Sequence, residues 1–148
     1  MPDFQQKCFA QLTTTELFEI YRVRVAVFVV EQTCAYQEVD GLDVQAQHLF
    51  TQDTAGHVTA YARLIDEGSQ VRIGRVLVAP ANRGNGSGRQ LVDTALAAAR
   101  RTYPAATSIV IQAQAYLQKF YASFGFQPTS DVYLDTGIPH LDMVLPLS

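Results

Sequence analysis

The chain has 148 residues, of which 48% are hydrophobic and 17% charged, and its net charge is −3. That size and composition suit one domain spanning residues 1–148 with a real core and argue against disorder, while the acidic balance argues against non-specific nucleic-acid binding. No apolar run reaches the length of a membrane helix, and the N-terminus MPDFQQKCFA shows no export signal. Cys8 and Cys34 read as free thiols of a cytoplasmic protein. The three histidines and two cysteines make no metal-ligand spacing.

In chain order, Thr13-x-x-Glu16 predicts a capping box at the start of a first helix. Leu17, Ile20, Tyr21, Arg24, Val27 and Phe28 then share a helical face. Residues 33–43 read as turn or a short second helix. Strands are predicted near 47–52 and 57–65, where Val58, Ala60, Ala62 and Leu64 alternate with Tyr61, Arg63 and Ile65. A third strand, near 70–79, stops at Pro80. A glycine-dense turn at 83–88 leads into a helix over 87–102, which ends before Pro104. A strand at 108–112, a helix at 115–124 capped by Gly125, and strands at 131–135 and 140–146 complete a mixed α/β layer pattern.

Strand, glycine turn and helix together aim bare backbone N–H groups at an anion. Glycine lets a ligand approach the backbone closely, and the helix N-terminus adds free donors and its positive dipole end. Three glycines in five residues, with Arg83 and Arg89 alongside, exceed what an ordinary connection requires. The loop ends Gly88-Arg89-Gln90, so it lacks the Gly-Lys-Ser/Thr of a P-loop. It lies mid-chain with no acid in the Rossmann position. The spacing present is Arg83-x-x-Gly86-x-Gly88, preceded by Val76-x-Val78-x-Pro80.

This spacing resembles the acetyl-CoA signature of the GNAT superfamily of N-acetyltransferases. The run Lys119-Phe120-Tyr121-Ala122-Ser123-Phe124-Gly125-Phe126 is similar to that superfamily's late helix. The segments 24–32, 36–41, 60–64 and 137–140 resemble its small ElaA-type branch. The likeness runs from about residue 15 to the C-terminus and implies a mostly antiparallel central sheet flanked by helices. It also implies acetyl-CoA as co-substrate, no metal, and transfer of an acetyl group to a small-molecule or peptide amine. Its pantetheine arm would lie on the strand at Leu77 and Val78, and its pyrophosphate on Arg83, Gly84, Asn85, Gly86, Ser87 and Gly88. The resemblance makes Tyr121 the group that protonates the departing thiolate. One departure is Gln114, where many members carry asparagine.

The acceptor is less legible. Seven of the eleven Lys and Arg residues fall in 63–101, whereas no basic side chain lies between Arg24 and Arg63. That stretch holds Glu31, Glu38, Asp40 and Asp43. It suits a cationic amine acceptor, or it is a solvated acidic loop. Glu31, Glu38, Asp40 and His140 are the candidate acceptor ligands. His48, His140, Glu31, Glu38, Asp40 and Asp142 are candidate bases by residue type. Arg24 reads as structural. Arg63 and Arg75, each in a strand, either pair with these acids or line the acceptor cleft. Cys34 is a weaker candidate, as nucleophile of a ping-pong route. Two alternatives stand beside direct transfer: a CoA-binding sensor on the same scaffold, and an acyl-homoserine-lactone-synthase-like enzyme, whose usual tryptophan this chain lacks. Neither nucleic acid nor membrane is expected as a partner, and a homodimer is left open.

Overall fold

A computed structural model describes residues 3–148. The elements in order are β1 (Gln5–Cys8), α1 (Thr14–Val25), β2 (Gln47–Gln52), β3 (Val58–Asp66), β4 (Gln70–Val78), α2 (Ser87–Thr102), β5 (Ser108–Gln114), α3 (Gln118–Ala122), β6 (Gln127–Pro128), β7 (Tyr133–Asp135) and β8 (Ile138–Pro146). They build one eight-stranded sheet in the order β1-β2-β3-β4-β5-β8-β6, with β7 also paired to β8. Every neighbouring pair is antiparallel except β4–β5.

The start of α1 follows the capping box. Thr13 Oγ1 accepts from the Glu16 N–H at 3.0 Å, and the Glu16 carboxylate accepts from the Thr13 N–H at 2.9 Å. Beyond Val25 the helix widens into a π-turn over Ala26–Glu31. Residues 33–43 carry only the start of a 3-10 turn, Gly41–Val44, which Asp40 caps through Leu42 N–H.

α2 lays Leu91, Val92, Ala95, Leu96, Ala98 and Ala99 on one face of the sheet, against Ala60, Ala62, Leu64, Val71 and Ile73. Small residues on both sides let helix and strands approach closely. Each fully buried Leu or Ile there contributes about 1.5–3 kcal/mol. On the opposite face α1 buries Ile20 and Val23, and the π-turn after it Val27, against Phe50, Tyr61 and Leu77. β3 therefore has both faces covered.

Two features of β4 position the site. It pairs with β5 only over 70–72 against 108–110, so the two strands part and the far half of β4 has no strand on that side. The β3–β4 register also slips, with Tyr61 opposite Leu77 but Arg63 opposite Gly74. This bulge puts Arg75 at φ +53. It inverts the strand, so Ile73 belongs to the α2-side core and Leu77, four residues on, to the α1-side core.

The sequence reading differs from this fold at several ends. β1 precedes the first predicted element and pairs with β2. The helix expected over 115–124 is a 3-10 turn at Ala115–Leu117 followed by the short α3. The last two strands begin at 133 and 138. Among the described residues no helix is long and apolar enough to cross a membrane, and no cluster of His, Cys, Asp and Glu could hold a metal ion.

Candidate functional site

The glycine turn has the backbone that its composition requires. Gly84 and Gly86 sit at φ +86 and +84, where an L side chain is strained, and Gly86 is the N-cap of α2. Asn85 Oδ1 accepts from the Ser87 N–H at 3.2 Å and from the Ser87 hydroxyl. The first intrahelical bond runs from Gln90 N–H to Gly86 O at 3.1 Å. The N–H groups of Gly88 and Arg89 therefore have no partner among the described residues. Arg89 ties this end of α2 to α3. Its guanidinium lies 4.4 Å from the Phe124 ring centre and donates to Ser123 Oγ at 2.5 Å.

The turn borders a cavity of about 550 Å³ that continues along β4. Leu77, Val78, Arg83, Gly84, Gly86, Ser87 and Gly88 all line it. Asn85 instead faces a third, polar cavity of about 380 Å³. Across the mouth, Glu31 holds Arg83 in a bidentate pair at 2.6 and 2.9 Å, while Arg83 Nε donates to Val78 O at 2.9 Å. A second cavity, about 170 Å³, fills the wedge between β4 and β5. Phe28, Gln32, Val76, Gln114 and Leu117 line both, so the two spaces meet where the strands part. The π-turn delivers Phe28, and Gln32 follows directly after it, an offset that a 3.6-residue period does not reveal.

Tyr121 and His140 both line the second cavity. The Tyr121 ring packs edge-on against Phe120 and Phe126. Its hydroxyl makes no hydrogen bond among the described residues. Burial, helped by the nearby Tyr116, pushes its pKa up to about 12, so the group stays a phenol. His140 Nδ1 lies 2.7 Å from Ile138 O. A carbonyl only accepts, so Nδ1–H donates, and Nε2 has no hydrogen-bond partner among the described residues. The ring stacks on Tyr133, whose hydroxyl donates to Asp142 at 2.5 Å. Cys34 also borders this cavity, with Sγ 3.2 Å from Thr136 Oγ1 and no hydrogen bond to a histidine among the described residues.

The acids of 31–43 meet arginines from elsewhere in the chain. Arg24 is fully buried and donates to Glu38 and, at 2.7 Å, to Asp43. Arg63 pairs with Asp40 at 2.8 Å and Asp43 at 3.0 Å. Arg75 pairs with Glu38 and reaches Asp40 at 3.5 Å. Arg63 and Arg75 thus pair with these acids as expected, and both also line the second cavity. Burial opposes ionisation of Asp43, but Arg24 and Arg63 outweigh it and hold its carboxyl below the usual range.

His48 lies in the same network, away from both main cavities. Nε2–H donates to Asp43 O at 2.8 Å, so Nδ1 accepts from the Tyr61 hydroxyl at 2.6 Å. Burial, set against the Asp43 contacts, lowers its pKa and keeps it neutral. Glu31 borders the first cavity, and neither Glu38, Asp40 nor Asp142 lines the second. The reading of residues one at a time missed Arg72, Tyr36, Gln112 and Asp135, which do line it. The splayed strands bring these together, and no local spacing signals them.

The acetyltransferase (GNAT) domain family model matches residues 14–147. A UPF0039 protein of Schizosaccharomyces pombe is 47% identical over 98% of this chain and 97% of its own length. A crystal structure of an acyl-CoA N-acyltransferase from Pseudomonas aeruginosa superposes with a TM-score of 0.92 at 43% identity, covering 98% of this chain and 99% of that one. The Escherichia coli ElaA crystal structure gives 0.91 at 36% identity, over 97% and 99%.

Proposed function

This chain belongs to the GNAT acetyltransferase family, in its ElaA-like branch, and on that premise we propose that it moves the acetyl group of acetyl-CoA to an amine by direct attack. The observation that carries this reading is the junction of the two cavities. One ends in a backbone anion cradle, and the other holds a free phenol and an imidazole with a bare nitrogen.

The loop 83–88 and the first turn of α2 hold the pyrophosphate through backbone N–H groups. The pantetheine arm runs along the part of β4 that β5 leaves unpaired, past Val78 and Leu77. This places the thioester at the junction near Val76. A backbone N–H of that strand stabilises the oxyanion. His140 Nε2 takes a proton from the acceptor ammonium, and the neutral amine attacks the carbonyl carbon. As the C–N bond forms and the C–S bond breaks, Tyr121 gives its proton to the leaving sulfur, and the proton shed by the new amide nitrogen passes back to the phenolate, through water where needed. In water a phenol of pKa about 12 is a poor donor to a thiolate whose acid titrates near 8.5. Burial raises the basicity of a thiolate in the same cavity too, which narrows the mismatch.

A thiol-release assay with acetyl-CoA and a panel of amines tests this. Release that depends on the amine and saturates with it supports transfer. Binding of acetyl-CoA with no release for any amine favours a CoA-sensing module on the same scaffold.

A further inference from the structure

The second cavity has two unlike walls. Arg63, Arg72 and Arg75 stand on the β3–β4 side, and Gln112, Asp135 and His140 on the β5–β8 side. On the arginine wall each guanidinium is matched by protein carboxylates. Arg24, Arg63 and Arg75 face Glu38, Asp40 and Asp43, and Arg72 faces Glu67. The wall is thus close to electroneutral, yet it has more donors than the protein uses. A guanidinium carries five N–H groups. Arg75 spends Nε and Nη2 on Glu38 and Asp40, while Nη1 has no partner among the described residues. Its side chain is only 20% exposed and lines the cavity. The buried Arg63 Nε likewise has no hydrogen-bond partner among the described residues. On the facing wall, Asp135 forms no ion pair among the described residues, and His140 keeps Nε2 open.

We infer that the acceptor is a small zwitterion: an amine that also carries a carboxylate, seated with its carboxylate on Arg75 and its amine toward Asp135 and His140. This rests on the acyl-transfer reading for the role of the amine, and it names the class of molecule that the site takes. A purely cationic acceptor finds spare charge only at Asp135 and leaves Arg75 Nη1 unused. A purely anionic one meets Asp135 with nothing to offset it. A zwitterion satisfies both walls and adds no net charge to a site of low dielectric. The bulge is part of the device. A side chain at φ +53 is uncommon for arginine, and this conformation carries the guanidinium to the mouth of the acid cluster.

The test is equilibrium titration of CoA-loaded protein with matched probes: 4-aminobutyrate against butylamine, and 1,4-diaminobutane as the doubly cationic control. The carboxylate-bearing member should bind about tenfold or more tightly than butylamine, as befits a charge-assisted hydrogen bond. Arg75→Asn removes the guanidinium, tolerates the positive φ and leaves Glu38 its pair with Arg24. This variant should bring the ratio close to one. A native ratio near one, a diamine that binds more tightly than the amino acid, or a folded Arg75→Asn protein with an unchanged ratio would each overturn the inference. Acetyl transfer to the diamine in preference would sink the zwitterion and leave the transferase reading standing. Tight, Arg75-dependent binding of the amino acid with no thiol release would do the reverse.

Discussion

At the scale of single residues, the proposed roles separate by what each change should move. Tyr121→Phe removes one oxygen and keeps the ring between Phe120 and Phe126. It should lower kcat by roughly 10²–10⁴-fold while leaving the acetyl-CoA dissociation constant nearly unchanged. Full activity in a folded variant would reduce Tyr121 to a core aromatic. Glu38→Gln should act on stability, because it strips a charge from the fully buried Arg24. Breaking such a pair costs about 3–5 kcal/mol, readable in denaturant unfolding. His48 sets a pH dependence of known sign. Its pKa is lowered in the fold, while the unfolded imidazole titrates near 6.5. Below about pH 6.5 the unfolded chain therefore holds the extra proton, and stability should fall with acid by up to about 1.4 kcal/mol per pH unit. His48→Gln should flatten that slope; an unchanged slope would place its origin elsewhere. Asp40 and Asp43, whose pKa values are lowered, keep their contribution until the pH drops into the carboxylate range. Tyr121 and the loop glycines stand out in the sequence because each sits in a local pattern, and the structure puts them on the walls of the two cavities. That Arg63 and Arg75 pair with acids of 31–43 was expected from the sequence, but which acid each arginine takes was not, since the partners lie on strands more than twenty residues away.

At the scale of elements, the loop 83–88 and β4 do different work. The cradle needs an open backbone at Gly86, where an added Cβ meets nothing within 4 Å. Gly86→Val would combine bulk with a φ that β-branched residues avoid. Gly86→Asn tolerates the left-handed conformation, so it isolates the bulk. It should fold and lose most of its affinity for acetyl-CoA. Affinity kept in folded Gly86→Asn would move the anion elsewhere. α2 was read from sequence to its observed ends because its apolar period is regular and Pro104 bounds it. α3 was read too long, since the turn Ala115–Leu117 is apolar at helical spacing yet winds as 3-10. The bulge in β4 and the π-turn after α1 left no local mark. Each inserts a residue into a repeat, and the repeat itself still scores as strand or helix.

At the scale of the whole molecule, the proposed transfer depends on the two cavities sharing a wall where β4 and β5 part. Acetyl-CoA should raise the melting temperature because it binds only the native state, and ATP and NAD should do so much less. Equal shifts with ATP would mean a generic phosphate site. The central claim is that the acetyl group passes directly from sulfur to an amine at that junction, without stopping on the protein. Intact-mass measurement of the protein mixed with acetyl-CoA, first alone and then with amine, tests it most directly. The expected result is an unmodified chain at every stage, with free CoA and N-acetylated amine produced in equal amounts and only once amine is present. An acetylated chain before amine is added, above all one carrying the group on Cys34, or CoA release that ignores the amine, would contradict it.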